Sequence, residues 1–465
     1  MKIENWSDVD RKAPQYYEEI IKLCEKQGDL PKNLVFIVVD HCLFTFQSHA
    51  ESLMKMGGIA GVILKSSTHV ATSIEYAQTH CKVLQVSKEN LKERGRAIKL
   101  ILDNTTEEQK LVLLDHGGYF APKLGEIIDH PELAKRILGI VEVTENGYQK
   151  YQATMRALQK PFPLLSIART EIKELEDAQV GTSIFDASNT ILYNIHASLS
   201  STRTICVIGY GKIGRSIANS CREHRIIDII VLEIDSLRAQ AAHKHGHKVY
   251  DASSPKEREF ALQQAEMIFS STGKRALTAL DVNILRNAQK TQKNRVLYIA
   301  SCTSPDDEFD PSFFSELEAQ SVNSKEERDE YLQTYKLSPY RLFNGGDIFI
   351  LNGGKAVNFA VGGTPGYEIC QVWAAVLFCT AKIASGSIES KNFIQELTRS
   401  EQNEISKVTC SVFLSEKNVE NTHRRSHRRS LSLGDFHQGL FEARKGKLIF
   451  HENEEIGCRQ KTLHS

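Results

Sequence analysis

The chain has 465 residues, of which 41% are hydrophobic and 25% charged, values typical of a globular protein with a sizeable core. Basic and acidic residues balance at 58 each, so no net charge favours nucleic acid or a membrane surface as a partner. The ten cysteines form no CxxC pair and no His/Cys cluster at metal-ligand spacing, which argues against a metal site and is typical of reduced thiols in a cytoplasm.

The N-terminal residues are polar and lack the apolar core of a signal peptide. No apolar run in the sequence reaches the length expected of a membrane-spanning helix. We therefore expect a cytoplasmic protein that binds neither a membrane nor nucleic acid.

The part of the chain up to about residue 190 alternates short apolar runs with helical patterns. Residues 34–39 and 59–64 predict buried strands, and residues 83–86 and 111–114 predict two more. Strands that alternate with helices form mainly parallel sheets covered by helices on both faces. We therefore predict that residues 1–190 form one α/β domain.

A second α/β domain is predicted at residues 191–352, and its first strand runs into a glycine-rich turn. The apolar run 204–208 passes at once into Gly209-Tyr-Gly-Lys-Ile-Gly214, which opens a helical pattern. In such a GxGxxG turn the first glycine permits the tight bend, the second lets the backbone approach a pyrophosphate, and the third allows close helix–strand packing. The helix N-terminus presents unpaired N–H groups to the phosphates. The residues predicted to bind a dinucleotide are therefore Gly209, Gly211, Lys212, Ile213 and Gly214.

A carboxylate at the end of the next strand specifies the dinucleotide. Glu233 lies 19 residues after Gly214 and ends the strand predicted at residues 226–232. A carboxylate at this place accepts hydrogen bonds from ribose hydroxyls and repels a 2′-phosphate, which favours NAD over NADP. Arg238 lies close enough in sequence to weaken that preference. The alternative, a glycine-rich turn that binds nothing, is disfavoured because motif, context and carboxylate occur together.

The rest of the chain divides into a return segment and a tail. Residues 353–385 contain a long apolar helical pattern at 368–383 and are predicted to pack on the first domain. Residues 386–465 lack strong periodicity and carry a basic run at 422–430, so we predict a poorly ordered or weakly helical tail. The basic run either binds an anionic surface, accepts phosphate on its serines, or is simply solvated.

Segments in both domains resemble adenosylhomocysteinases, NAD-dependent enzymes that split S-adenosylhomocysteine into adenosine and homocysteine. The order of the segments is collinear with the family from about residue 35 to residue 383. The resemblance implies a Rossmann NAD-binding domain plus an α/β substrate domain of the adenosylhomocysteinase type, with NAD in the cleft between them and assembly as a dimer or tetramer. The segments that carry the resemblance are 114–118, 139–147, 207–214, 231–239 and 345–359.

The resemblance assigns roles to four residues of the cleft. Lys173 and Asp177 occupy the places of a lysine and an aspartate that hold the 3′-end of the substrate ribose. Thr144 matches a threonine that touches the nicotinamide, and Asn358 matches the asparagine of the family's VNL motif. The residues alone also allow a second interpretation of Lys173 and Asp177, a solvated helix face with ion pairs four residues apart.

Three histidines are further candidates for the substrate site. His41 stands where the family has a short substrate loop, and His69 matches the histidine that follows the second strand. His116 follows a strand and precedes two glycines, at the place of the family's catalytic aspartate, so that an acid–base role and a structural role are both open. Other polar groups of the family are replaced in this chain by Val143, Ala168, Ala178, Thr182, Ser301 and Thr364.

Three functional hypotheses follow. The chain is a divergent NAD-dependent enzyme that oxidises a hydroxyl of a nucleoside or small polar metabolite, with Lys173 and Asp177 at the hydroxyl and His116 as an additional acid or base. Alternatively it is a true adenosylhomocysteinase whose catalytic groups have moved. The third hypothesis is a non-catalytic NAD-binding protein that senses the cofactor or binds a partner through its tail.

Overall fold

The computed structural model describes residues 6–226, 228–291, 296–303, 308–343, 346–364 and 366–415. Residues 1–412 form one compact unit. Residues 413–465 form a second unit, of which residues 413–415 are described. The candidate site lies entirely in the first unit.

Within the described residues, the N-terminal half of the first unit contains a five-stranded parallel sheet with the strand order β2-β1-β3-β4-β5. Its strands are β1 (Leu34–Cys42), β2 (Gly58–His69), β3 (Lys110–Asp115), β4 (Ile137–Glu142) and β5 (Leu164–Ser166). The helices of this half are α1 (Trp6–Glu25), α2 (Phe46–Met54), α3 (Ala71–His80), α4 (Lys88–Leu91), α5 (Arg96–Asn104), α6 (Leu124–Asp129), α7 (Leu133–Arg136) and α8 (Glu145–Leu158). The side chains of β1 and β3 are buried on both faces of the sheet, as expected for parallel strands covered by helices.

The prediction of a strand at residues 83–86 is wrong. Only Val83 pairs with the sheet, through an isolated bridge to Val62. The chain leaves the sheet directly afterwards because Ser87 caps α4, where its side chain accepts a hydrogen bond from the backbone N–H of Asn90. The apolar residue Leu84 instead packs against Gly61 of β2.

The second sheet has seven strands within the described residues, in the order β11-β12-β10-β9-β6-β7-β8. Its strands are β6 (Ile205–Ile208), β7 (Ile229–Glu233), β8 (Lys248–Asp251), β9 (Met267–Ser270), β10 (Val296–Ser301), β11 (Leu337–Arg341) and β12 (Asp347–Leu351). All are parallel to their neighbours except β11, which is antiparallel to β12. Its helices are α10 (Lys212–Glu223), α11 (Ser236–Lys244), α12 (Pro255–Gln264), α13 (Ala279–Thr291), α14 (Pro311–Ala319) and α15 (Lys325–Tyr335). The predicted α/β fold class is confirmed.

The strand order of the second sheet reverses at β6, which pairs with β7 on one side and β9 on the other. In open parallel sheets this reversal leaves a crevice at the carboxyl ends of the strands, where ligands bind. The glycine-rich turn follows β6 directly and therefore lies at this crevice.

The long helix α9 (Glu171–Tyr193) joins the two sheets and packs closely on α10. The backbone N–H of Gly181 donates to Oγ of Ser216 over 3.0 Å, and the same hydroxyl donates to the carbonyl of Ala178 over 2.6 Å. A Cβ atom on Gly181 would overlap the backbone of Ser216. These contacts fix the position of α9 relative to the helix that follows the glycine-rich turn.

The apolar helix predicted at residues 368–383 is α16 (Tyr367–Ala384), which packs on α1, α9 and β4. By length and composition it is a helix that could cross a membrane, although most of its surface is buried inside the protein, as in a core helix. The lengths of apolar runs do not reveal this property, because isolated polar residues such as Gln371 interrupt the run.

The prediction of a poorly ordered tail from residue 386 is wrong for its first part. Lys391 and Gln395 form isolated bridges with Phe162 and Leu165, beside the short edge strand β5. The helix α17 (Arg399–Phe413) follows, and Ile405 on it is buried. Sparse apolar residues were enough to anchor this segment because the edge of the sheet offered unpaired backbone groups. The basic run at 422–430 lies outside the described residues.

Candidate functional site

The glycine-rich turn adopts the conformation that its spacing predicted. Gly209 has a φ angle of +87°, and its N–H donates to the carbonyl of Leu232 over 2.8 Å. A Cβ atom on Gly214 would overlap the carbonyl oxygen of Gly209, so only glycine allows α10 to approach β6 this closely. The helix begins at Lys212, and its N-cap, Gly211, supplies no side-chain acceptor. The first N–H groups of α10 are therefore available to a phosphate.

Glu233 ends β7 beside this turn, and backbone donors orient its carboxylate. Oε2 accepts from the N–H of Tyr210 over 2.6 Å. Oε1 accepts from the N–H groups of Ile234 and Asp235 over 2.8 and 2.9 Å. Because Oε2 has a single donor, it retains a lone pair for a ribose hydroxyl. The turn, the open helix N-terminus and this acceptor together fit a dinucleotide with a free 2′-hydroxyl.

Lys173 and Asp177 lie near the N-terminus of α9 and form an ion pair, with Glu176 as a second carboxylate on the same ammonium. Both carboxylates are buried, which is inconsistent with a solvated helix face. Burial lowers the pKa of Lys173, but the two carboxylates outweigh it and raise the pKa above its usual value. The ammonium of Lys173 is therefore charged at neutral pH.

Lys212 connects this ion pair to the glycine-rich turn. Its Nζ atom donates to the carbonyl of Ala168 over 3.1 Å and lies 3.6 Å from Oδ2 of Asp177. Because Lys212 is the first residue of α10, the dinucleotide turn and the Lys173–Asp177 pair are adjacent. Ile213, next to Lys212, packs with its side chain against the apolar core of the second sheet.

His116 follows β3 and lies beside Asp40, which follows the apolar part of β1. Nδ1 of His116 is 3.7 Å from Oδ1 of Asp40, while Nδ1 of His49 is 3.2 Å from Oδ2. Desolvation, followed by the charge of Lys65, lowers the pKa of His116 to about 4. The charge of Lys173 adds to this effect, so the ammonium of α9 acts electrostatically on His116. The imidazole of His116 is therefore neutral at pH 7.

His41 completes this group of rings. Its imidazole meets that of His116 edge to face, with ring centroids 4.5 Å apart, and lies 4.8 Å from the ring of Phe359. Desolvation lowers its pKa well below the usual value, and Lys65 adds to the shift. Asn358 precedes Phe359 in a short 3₁₀ helix and is buried. His69 is the last residue of β2, and its side chain lies outside the described residues.

Thr144 lies at the start of α8, and its hydroxyl makes two hydrogen bonds within the protein. Its hydroxyl donates to Oε1 of Glu142 over 2.7 Å and accepts from the N–H of Gly147 over 3.0 Å. Glu142 also accepts from the N–H groups of Gly117 and Gly118, over 3.1 and 3.0 Å. Burial, together with the nearby carboxylate of Asp115, raises the pKa of Glu142. Thr144 is thus part of a network that holds the turn after His116.

Three residues of the cleft were not selected from the sequence: Asp40, Lys65 and Glu142. Glu142 ends β4 and Asp40 lies two residues before the end of β1, so a charged residue at a strand end was the available signal for these two, whereas Lys65 lies within β2. Thr182, which replaces a family cysteine, contributes to the contact between α9 and α10, because its hydroxyl lies 3.1 Å from that of Ser220. Among the described residues, no group of three or more His, Cys, Asp or Glu side chains could hold a metal ion.

Comparison with known proteins relates the chain to one enzyme family. It is 29% identical over 289 residues to the adenosylhomocysteinase of Thermoplasma acidophilum, a match that covers 60% of this chain and 62% of the relative. It is 24% identical to the S-inosyl-L-homocysteine hydrolase of Methanopyrus kandleri, over 58% of each protein. The chain thus spans about three fifths of the length of these curated relatives, and the homology is distant.

Two further comparisons concern the second sheet and the fold. Residues 205–322 match the TrkA-N domain family. Among solved structures, the apo form of D-lactate dehydrogenase from Escherichia coli is 13% identical, with a TM-score of 0.41, over 76% of this chain and 97% of that one. The match to the TrkA-N domain family indicates a Rossmann-like domain at residues 205–322, which include the glycine-rich turn.

Proposed function

We propose that this distant homologue of the adenosylhomocysteinases and S-inosyl-L-homocysteine hydrolases is an NAD-dependent enzyme that oxidises a hydroxyl of a nucleoside or of another small polar metabolite. The observation that carries the proposal is the position of Lys212, between the dinucleotide turn and the Lys173–Asp177 ion pair. A substrate hydroxyl held by that pair would lie next to a dinucleotide on the turn. Proximity of this kind is what hydride transfer requires.

NAD would be held by the N–H groups at the start of α10 and by Glu233 at its ribose. NAD bound there supplies the hydride acceptor. The lone pair on Oε2 of Glu233 favours NAD over NADP, because it accepts from a ribose hydroxyl and repels a 2′-phosphate. Arg238, whose Nη1 atom is 3.9 Å from the point where a Cβ atom of Gly211 would stand, is a cation that opposes this preference.

The protein side chains divide the acid–base work according to their charge. Lys173, which is protonated, orients and polarises the hydroxyl oxygen as a hydrogen-bond donor. His116 is neutral, and a proton on Nδ1, the nitrogen that faces Asp40, leaves the lone pair on Nε2. Nε2 of His116 therefore accepts the proton of the hydroxyl as the hydride departs.

A true adenosylhomocysteinase is the second candidate, supported by the homology and by the retained Lys173–Asp177 pair. It requires new groups in place of Val143 and Ala168, both of which are buried and apolar. These side chains neither bind a hydroxyl nor move a proton, which is why we prefer the broader oxidation.

The test uses the pure protein saturated with NAD and offered S-adenosylhomocysteine, S-inosylhomocysteine, adenosine and inosine. Absorbance of the reduced nicotinamide measures oxidation, and a thiol reagent measures homocysteine. Reduced nicotinamide without thiol supports the proposal, and thiol release supports the second candidate. If bound NAD is reduced by none of the four nor by a wider panel of polyols and hydroxy acids, the enzymatic proposal is wrong and the non-catalytic hypothesis stands.

Variants separate the roles of the two catalytic residues. Lys173→Met and His116→Asn should each lower the rate of nicotinamide reduction by at least about a hundredfold while NAD still binds. Lys256→Met, a change of an exposed lysine on α12, is the matched control and should leave the rate unchanged.

A further inference from the structure

Lys65 is a partly buried cation that has no part in the proposed reaction. It lies in β2, and its Nζ atom is 3.6 Å from the point where a Cβ atom of Gly117 would stand. Within the described residues no carboxylate lies within 4 Å of this ammonium. A cation in such a position normally has a carboxylate or another anion beside it, because burial without one is costly.

The carboxylates nearest to Lys65 are held by other donors. Asp115 accepts from the N–H groups of Tyr119 and Phe120, both over 3.0 Å, and from the hydroxyl of Tyr151 over 2.6 Å. Glu142 accepts four hydrogen bonds from the turn after His116 and from Thr144. These carboxylates stabilise backbone turns, so the charge of Lys65 is left without a direct counterion.

Asp40, the third nearby carboxylate, is similarly occupied. It accepts from the N–H of His41 over 2.7 Å and faces two imidazoles. Its pKa is raised by burial, but the interactions with His116 and His49 outweigh that effect and leave it below the usual value. Asp40 is thus a partner of histidines and not of Lys65.

Other positive groups surround the same turn. Lys150 donates from Nζ to the carbonyl of Gly117 over 3.0 Å. Burial lowers the pKa of Lys65 to about 8, and Lys88 adds to the lowering while the nearby carboxylates oppose it. Lys65 is also the first charged group that lowers the pKa of both His41 and His116. The ammonium lies at the turn after His116, and the rings of His116 and His41 are in contact with each other.

We propose that Lys65 forms an anion-binding subsite of this cleft beside the turn after His116, so that the substrate carries a carboxylate or phosphate group. The inference rests on the proposed function for the reaction, whereas the binding of an anion is independent of it. An anion at Lys65 supplies the missing counterion. It also favours the protonated form of Lys65, so that the anion binds with uptake of a proton.

The test measures the thermal stability of the full-length, NAD-saturated protein with inorganic phosphate or with acetate. Each anion is compared with chloride at equal ionic strength, which removes the general effect of salt. A bound anion stabilises the folded state in proportion to its occupancy, so one of the two should raise Tm by about 2 °C at tens of millimolar. The anion that does so identifies the group as phosphate or carboxylate.

Variants assign the effect to the subsite. Lys65→Met should abolish the increase in Tm, Lys65→Arg should retain most of it, and Lys82→Met, which changes an exposed lysine of the same domain, should leave it unchanged. If neither anion raises Tm of the wild type above chloride, or if Lys65→Met keeps the full increase, the subsite does not exist. The wild-type measurement alone remains decisive if Lys65→Met fails to fold.

The two proposals fail separately. An anion effect that depends on Lys65, in a protein that never reduces bound NAD, would retain the subsite and overturn the oxidation. Oxidation of neutral nucleosides without any anion effect would overturn the subsite alone.

Discussion

Two glutamates at the carboxyl edges of the two sheets have the same position and different consequences. Glu142 ends β4 and accepts N–H groups from the glycine turn after the neighbouring strand β3. Glu233 ends β7 and accepts an N–H group from the glycine turn after the neighbouring strand β6. In both cases a carboxylate binds the backbone of the adjacent loop, and it also accepts from residues that follow it in the chain.

The difference lies in how many donors each carboxylate has and in what surrounds it. Glu142 accepts four hydrogen bonds, is completely buried, and leaves no room for a Cβ atom on Gly147. Glu233 accepts three, and the residue after it, Ile234, is 66% exposed. A saturated carboxylate stabilises the fold, whereas one that keeps an open lone pair can bind a ligand.

The largest effect should come from removing the two carboxylates in turn. Glu142→Ala leaves at least two buried N–H groups without an acceptor and should lower the free energy of unfolding by roughly 4 kcal/mol. Glu233→Ala should lower it by only about 1 kcal/mol, because two of its three donors belong to the exposed residues Ile234 and Asp235. Urea denaturation monitored by circular dichroism measures both. Equal losses would show that the two glutamates have the same structural role.

For the affinity for NAD, in contrast to stability, Glu233 should matter more than Glu142. Glu233→Gln should weaken NAD binding about 10- to 100-fold, because a charged acceptor of the ribose hydroxyls is lost, and should narrow the preference for NAD over NADP. Isothermal titration calorimetry with each cofactor measures the change. Glu223→Gln, at the exposed end of α10, is the control. An unchanged Kd in Glu233→Gln would make Glu233 a purely structural residue like Glu142.

The pH dependence of stability should distinguish the histidine cleft of the first sheet. The pKa of His116 is about 4, so between pH 6.5 and 4 the unfolded chain binds a proton that the folded chain excludes. This histidine therefore destabilises the protein as the pH falls, by roughly 1.4 kcal/mol per pH unit in that window. The pKa of Glu142 is raised, so this group acts in the opposite direction: its contribution to the free energy of unfolding decreases as the pH rises.

A comparison of variants isolates the contribution of His116. An asparagine side chain cannot take up a proton, so the loss of unfolding free energy between pH 6.5 and 5 should be smaller in His116→Asn than in the wild type. His243→Asn, at an exposed position of α11, should retain the wild-type dependence. Parallel pH profiles for His116→Asn and the wild type would contradict a lowered pKa.

The smallest effect is expected at Glu145, three residues after Glu142. Its carboxylate forms an exposed ion pair with Arg169, with 2.6 Å between Oε1 and Nη2. Glu145→Gln should change the free energy of unfolding by less than about 1 kcal/mol in the same urea experiment, because solvent screens such pairs. A loss approaching that of Glu142→Ala would mean that the whole start of α8, and not the strand end, stabilises the turn.

Local sequence patterns were sufficient where a structure depends on neighbouring residues. The strand, the glycine spacing and the helix around Gly209 and Gly214 were predicted and are present, because their geometry is set by the positive φ angle of Gly209 and by the absence of a Cβ atom on Gly214. Glu233 was found because its distance from the turn is a property of one βαβ unit. The predicted strand at residues 83–86 and the poor order predicted for the first part of the tail were wrong, because pairing at a sheet edge depends on residues far away in sequence.

The sequence by itself determined two parallel sheets, the dinucleotide turn and, through its resemblance to a family, the candidate pair Lys173 and Asp177. Only the tertiary structure decided which charges are paired. It brought Lys212 to Asp177 and His116 to Asp40, and it left Lys65 without a carboxylate within 4 Å among the described residues, although these residues come from separate strands and helices. The state of an ionisable group depends on burial and on charges within a few ångströms, and those distances are set by packing between elements and not by sequence spacing.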